Sequence, residues 1–186
     1  MQFLSKMEKK DVRRRIKSEI LALSPALQAE QSRQVVEQLR SLIEQSGARV
    51  VALFAPLADE VQIGDLASQL LCRVALPRVG DMADGTPDME FFYYDKQSLA
   101  AGAYGIQEPQ AGEVCSAADI DVMVVPGVAF TSVGDRLGRG KGYYDRYMAR
   151  EGFRAQTIGV CYSCQLCDEL PVEEHDRRVD RVISAE

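Results

Sequence analysis

Short, continuously apolar runs set between helical patterns limit the folds open to this chain more than any other feature. Residues 49–55 (RVVALFA), 121–125 (DVMVV) and 156–161 (QTIGVC) are each too short for a helix and rich in β-branched or aliphatic residues. Runs of this kind read as strands buried on both faces. Between them the apolar residues recur at helical spacing. Val12, Ile16, Ile20 and Leu23 predict an amphipathic helix over about 6–23. Ser24 and Pro25 supply a cap and a first-turn proline for a second helix. Its buried face is Val35, Leu39, Leu42 and Ile43, and Gly47 stops it.

Further along, the pattern predicts a helix over 61–72, a strand over 74–76 ended by Pro77, and an aromatic strand over 89–94. It continues with a helix over 141–151, a helical turn over 166–170 and a last strand over 179–183. Alternating strands and helices imply an α/β fold in three layers, a mostly parallel sheet flanked by helices. The 186 residues suit one domain spanning 1–186, with no repeat and no low-complexity linker. In open α/β sheets ligands bind beyond the carboxyl ends of strands. Segments 54–60 and 126–145 both follow strands and are expected to share one cleft.

The second of these segments, PGVAFTSVGDRLGRGKGYYDR over 126–146, carries the strongest chemical signal. Gly138, Gly140 and Gly142 alternate with Arg139 and Lys141. Glycines allow close backbone approach and positive φ, and backbone N–H groups beside two cations make an anion cradle. The loop is not a Walker A motif, because Asp135 stands where that motif needs glycine and Gly142 where it needs Ser or Thr. Nor is it a dinucleotide fingerprint, because its third glycine comes too early.

The stretch from Pro126 to Asp145 resembles the signature of the 5-formyltetrahydrofolate cyclo-ligase (methenyltetrahydrofolate synthetase) family, P-G-[VL]-[AG]-F-D-x-x-G-x-R-L-G-x-G-x-G-Y-Y-D. Thr131 is a departure, since the family usually has Asp there. The resemblance implies a three-layer α/β fold of the sugar-phosphate isomerase/CoA-transferase type. It also implies an ATP-dependent ligase that converts 5-formyltetrahydrofolate to 5,10-methenyltetrahydrofolate with release of ADP and phosphate. Mg²⁺ is the implied cofactor and ATP the co-substrate. An alternative within the same fold is a sugar-phosphate isomerase or CoA-transferase-like enzyme, for which the sequence offers no evident general base. A third reading, a binding protein without catalysis, sits poorly with the retained cations and acids.

Residue by residue, the resemblance implies that Lys9 and Arg13 contact ATP together with the run Arg136-Leu137-Gly138-Arg139-Gly140-Lys141-Gly142-Tyr143-Tyr144. Lys10 and Arg14 offer the same K-x-x-x-R spacing one residue later, and on residues alone Lys9, Arg13 and Lys17 read as a solvated helix face. Glu60 matches the acidic residue that holds the pterin, and Ala55 a second position lining the folate pocket. On residues alone, Asp59-Glu60 reads as a helix start. Arg139, Lys141 and Tyr143 are the expected catalytic residues and also line the folate substrate. Arg136 serves either a phosphate or the folate tail. Asp145 and Asp176 are the expected Mg²⁺ ligands.

Composition bounds the partners. A net charge of −6 argues against nucleic acid and anionic membranes, so the expected partners are the reduced folate and ATP. No apolar run approaches the roughly 20 residues needed to span a bilayer, and the N-terminus lacks the apolar core of a secretory signal. A cytoplasmic protein is expected, its oligomeric state open and leaning towards a monomer. Cys161, Cys164 and Cys167 form a C-x2-C-x2-C run. Without a fourth ligand nearby in sequence, they read as free thiols rather than a cluster site. His175, the single histidine, is expected at the surface.

Overall fold

Alternate residues of the apolar runs face opposite ways and enter two different cores. Val51, Leu53, Val122, Val124, Ile158 and Val160 pack in one core, with Val12, Ile16, Val35 and Leu39 from the N-terminal helices. Val50, Ala52, Met123 and Val125 pack in the other, with Phe91, Phe130, Tyr147 and Met148. The period of two along each strand thus fixes three layers: helices, sheet, and a mixed layer on the far side.

The computed structural model describes residues 7–81, 85–95, 97, 99–101, 107–109 and 112–186. In chain order the elements begin with helices α1 (Lys9–Ala22) and α2 (Pro25–Ser46), strand β1 (Val50–Ala52) and helix α3 (Leu66–Gln69). Strands β2 (Arg73–Asp81), β3 (Pro87–Tyr93), β4 (Leu99–Ala101), β5 (Gln107–Pro109), β6 (Val114–Cys115), β7 (Val122–Val125), β8 (Ala129–Thr131) and β9 (Arg136–Leu137) follow. Helix α4 (Tyr143–Met148) and strands β10 (Gln156–Cys161), β11 (Leu166–Cys167) and β12 (Arg181–Ser184) complete the chain.

The main sheet has seven strands in the order β12-β10-β7-β1-β2-β3-β6. Strands β12 to β2 run parallel, whereas β3 and β6 are antiparallel at one edge. Asp121 ties the two central strands at their start, its carboxylate accepting the N–H groups of Arg49 and Val50 at 2.9 and 3.0 Å. Helix α2 begins as its sequence dictates. The Ser24 hydroxyl accepts the Leu27 N–H at 3.2 Å, Pro25 occupies the first turn and Gly47 ends the helix at φ 68°.

Several expected elements are shorter or different. The helix expected over 61–72 is confined to Leu66–Gln69, because Val61 and Ile63 are buried in an irregular segment that precedes it. Pro77 does not end its strand: β2 continues to Asp81, with Pro77 opposite Phe91 in the antiparallel pairing with β3. The helix expected over 141–151 is only Tyr143–Met148. Residues 166–170 do not form a helical turn. A 3-10 turn at Ser163–Gln165 precedes them, and Leu166–Cys167 pairs with β8 in a small separate sheet. The part of the first helix expected at residue 6 lies outside the described residues.

Candidate active site

Past β7, the chain turns at Pro126–Gly127 and forms a hairpin, β8 paired with β9. Phe130 anchors this hairpin with no solvent exposure. Its ring fits because two neighbours lack side chains: a Cβ on Gly127 would lie 2.6 Å from Phe130 Cζ, and one on Gly159 would meet Phe130 Cε1. Thr131 closes the hairpin turn. Its hydroxyl accepts the Asp135 N–H at 3.0 Å and donates to the Asp135 carboxylate at 3.2 Å. Threonine therefore completes the turn with an oxygen acceptor where the signature favours aspartate. Gly134 follows at φ +94°, its α-carbon facing the Val179 carbonyl so closely that no side chain fits.

The basic glycine loop emerges from β9. Gly140 and Gly142 take φ +95° and +67°, left-handed values that favour glycine. Arg13 of α1 braces the loop by donating from Nε to the Gly138 carbonyl at 2.8 Å. Arg139 reaches back to the segment after β1. Its Nε donates to Glu60 at 2.9 Å, and its two terminal nitrogens to the Asp59 carboxylate at 2.6 and 3.2 Å. Burial works against the Arg139 charge, but Asp59 and Glu60 outweigh it and raise the Arg139 pKa. Lys141 is exposed, and among the described residues its ammonium has no hydrogen-bond or ion-pair partner.

Asp59-Glu60 is not a helix start. Glu60 is buried, its second oxygen accepts the Leu57 N–H at 3.0 Å, and its carbonyl receives the buried Tyr162 hydroxyl at 2.8 Å. Tyr144 sits beside it, and burial together with the Glu60 charge pushes its phenol well above the usual value. It stays a neutral donor at any working pH.

Arg136 and Asp145 form a pair within the cleft wall. The Arg136 side chain is 3% exposed and donates to the Pro126 carbonyl at 3.1 Å and to Asp145 Oδ2 at 2.9 Å. Asp145 Oδ1 accepts the Arg177 N–H at 3.0 Å. Arg136 thus gives one N–H of each terminal nitrogen to a backbone carbonyl and to Asp145, while its buried Nε has no partner among the described residues. Each Asp145 oxygen keeps a second lone pair, which suits a metal held by one or two carboxylates with phosphate and water oxygens. Asp176 sits next to Arg177 and accepts from Lys9 Nζ at 2.6 Å. Burial opposes the Asp176 charge, but Lys9 and the Glu173 N–H hold its pKa below the usual carboxylate range. Lys9 also reaches Glu173 at 3.2 Å, so Lys9 and Asp176 satisfy each other. His175 is exposed beside Glu173 at 3.3 Å.

These groups surround a cleft of about 330 Å³. Ala55, Glu60, Arg139, Lys141, Tyr143 and Asp145 line one part of it, and Val79, Met89 and Glu108 another. Arg136, Gly138, Gly142 and Tyr144 also reach it. Leu137 is buried beneath the loop, 2% exposed. A recess of about 110 Å³ adjoins, lined by Arg13, Lys17, Asp59 and Arg139. Gly140 stands against Arg13 on that side. Lys9 and Asp176 line neither space.

Sequence reasoning missed Asp59 and the β2–β3 wall. A paired acid gave no sign of holding an arginine 80 positions away, and apolar residues give no sign of lining a pocket. The five cysteines are free. Burial pushes the Cys164 and Cys167 thiols up to about 11, so both are protonated near neutral pH. Among the described residues no group of three or more His, Cys, Asp or Glu is placed to hold a metal.

Comparison with known proteins bears on this cleft. Residues 5–185 match the 5-formyltetrahydrofolate cyclo-ligase family. The chain is 32% identical over 170 residues to the 5-formyltetrahydrofolate cyclo-ligase of Escherichia coli K12, covering 88% of this chain and 92% of that one. To the mouse 5-formyltetrahydrofolate cyclo-ligase it is 29% identical over 194 residues, covering 94% and 92%. The solved 5,10-methenyltetrahydrofolate synthetase of Aquifex aeolicus superposes with a TM-score of 0.82 at 34% identity, over 96% of this chain and 90% of that one.

Proposed function

The chain belongs to the 5-formyltetrahydrofolate cyclo-ligase family, and from that premise we propose how its cleft carries out the family's ATP-dependent conversion of 5-formyltetrahydrofolate to 5,10-methenyltetrahydrofolate. One observation supports the reading above others. The glycine loop with Lys141, which has no partner among the described residues, and the buried carboxylate of Glu60 line one cleft, bridged by Arg139. A phosphate-binding element thus meets an acceptor for N–H-rich rings.

A formamide oxygen is a poor leaving group. Transfer of the γ-phosphoryl group of ATP to that oxygen breaks the β–γ bridge and releases ADP. The arm nitrogen then bonds to the activated carbon and gives up its proton to solvent, and the C–O bond breaks to release phosphate. The protein's task is to hold the reactants in line and to screen charge. Lys141, Arg139 and the loop's N–H groups face the transferred phosphoryl group. Glu60 and the neighbourhood of Ala55 hold the pterin, and Tyr143 flanks the reacting region. Arg13 extends the phosphate contacts from α1, whereas Lys9, one turn earlier, is engaged by Asp176 and Glu173. Mg²⁺ bound with ATP would screen the phosphates. Asp145 would hold it through its remaining lone pairs. Arg136 acts through Asp145, not on the folate tail. The acidic chain works as a single domain, in the cytoplasm, on two small anionic substrates.

Glu60→Gln replaces a carboxylate with an amide that carries two donors. Loss of one charge-assisted hydrogen bond is worth about 1.5–3 kcal/mol. Folate affinity is therefore expected to fall roughly tenfold or more, with ATP affinity changed far less, in separate titrations of the two ligands. Unchanged folate affinity would remove Glu60 from the folate pocket.

A thermal-shift panel tests the substrate assignment, because ligands of the native state raise the melting temperature. ATP with Mg²⁺ and 5-formyltetrahydrofolate are each expected to stabilise the protein, and ribose 5-phosphate is not. Stabilisation by ribose 5-phosphate alone would favour the sugar-phosphate isomerase reading.

A further inference from the structure

Arg139 borders both the main cleft and the adjoining recess, and each of its three nitrogens donates one hydrogen bond to Asp59 or Glu60. Asp59 grips the two terminal nitrogens together, which leaves Nε aimed at Glu60. A bidentate grip of this kind fixes the orientation of the guanidinium plane. A phosphate that takes the N–H groups now held by Asp59 and Glu60 pulls Arg139 from the acids. A pterin that takes the Oε1 direction now held by Arg139 displaces the guanidinium, while Oε2 accepts the Leu57 N–H.

We infer that Asp59 is a positioning residue that parks Arg139 on Glu60, so that a phosphate and a pterin that take over these bonds open the same ion pair and each favours the binding of the other. This rests on the reading above, in which Glu60 receives the pterin and Arg139 a phosphate. The first ligand bears the cost of opening the pair, and the second finds it open. By linkage the gain is the same in either order. Lys17 and Arg13, on the recess side, give the released guanidinium a cationic neighbourhood that only an anion stabilises. Without the Asp59 carboxylate the parked state weakens. Nucleotide binding to the folate-free protein then tightens or holds, and the coupling between ligands shrinks.

The test is calorimetric titration of a non-hydrolysable ATP analogue with Mg²⁺, with and without saturating 5-formyltetrahydrofolate. It is run on the wild-type chain and on Asp59→Asn and Asp59→Glu. The wild type is expected to bind the analogue at least about fivefold more tightly when folate is present. In Asp59→Asn the coupling falls to about twofold or less, with folate-free nucleotide affinity equal to or above wild type. Asp59→Glu, which keeps the charge, recovers part of the coupling. A merely structural role for Asp59 would weaken nucleotide binding and leave the ratio unchanged, and that result overturns the inference, as does wild-type binding of both ligands without coupling. If the wild type binds neither ligand, the substrate assignment itself falls.

Discussion

Lys141→Ala is expected to lower turnover by about 10²–10³-fold, the typical loss for removing one preorganised electrostatic donor, while the melting temperature stays close to wild type. Three cationic side chains reach the cleft among its lining residues, and two are already engaged. Arg136 is held by Pro126 and Asp145, and Arg139 by Asp59 and Glu60. Lys141 alone of the three has no partner among the described residues. Its charge is fully available to a phosphoryl group whose negative charge redistributes during transfer. The side chain is exposed and contributes nothing to either core, so its loss should change stability by no more than about 0.5 kcal/mol. Single-turnover rates beside a thermal melt separate the two effects. A turnover close to wild type would remove Lys141 from the chemistry.

Phe130→Ala is expected to cost about 3–5 kcal/mol of folding stability, at the upper end for core truncations. The ring has no solvent exposure, and glycines at 127 and 159 flank it. Glycines have no side chains to move into the vacated space, so the cavity cannot close without backbone movement. The same ring seats the hairpin from which the glycine loop springs. The variant is therefore expected to lose nucleotide affinity even at temperatures where it remains folded. Urea denaturation gives the stability change. A loss below about 1 kcal/mol would show that the hairpin does not depend on this packing.

The two largest expectations come from one stretch of sequence, yet only one was legible there. The alternation of Gly138, Gly140 and Gly142 with Arg139 and Lys141 announced an anion loop, because no ordinary turn needs cations between glycines. The role of Phe130 was hidden, because Gly159 lies on β10 and is far away in sequence. The parallel sheet was legible for a similar local reason: short apolar runs can be buried on both faces only in that arrangement. Pro77 misled because proline lacks an N–H, yet in the β2–β3 pairing it lies opposite Phe91 without ending the strand. Asp59 and Arg139 were each visible as charges, but their ion pair joins two loops from different strands and no local pattern encodes it. Arg136 of β9 with Asp145 of α4, and Lys9 of α1 with Asp176, are likewise pairs that no local pattern encodes. Sequence gives the charge, and only the fold gives the partner.

The most direct measurement of the central claim follows the absorbance of the methenyl product formed from 5-formyltetrahydrofolate by the purified chain, with and without ATP and Mg²⁺. Product should appear only when ATP is present, with phosphate and ADP released in equal amounts. Equal turnover without ATP, or none under any nucleotide and metal condition, would contradict the account.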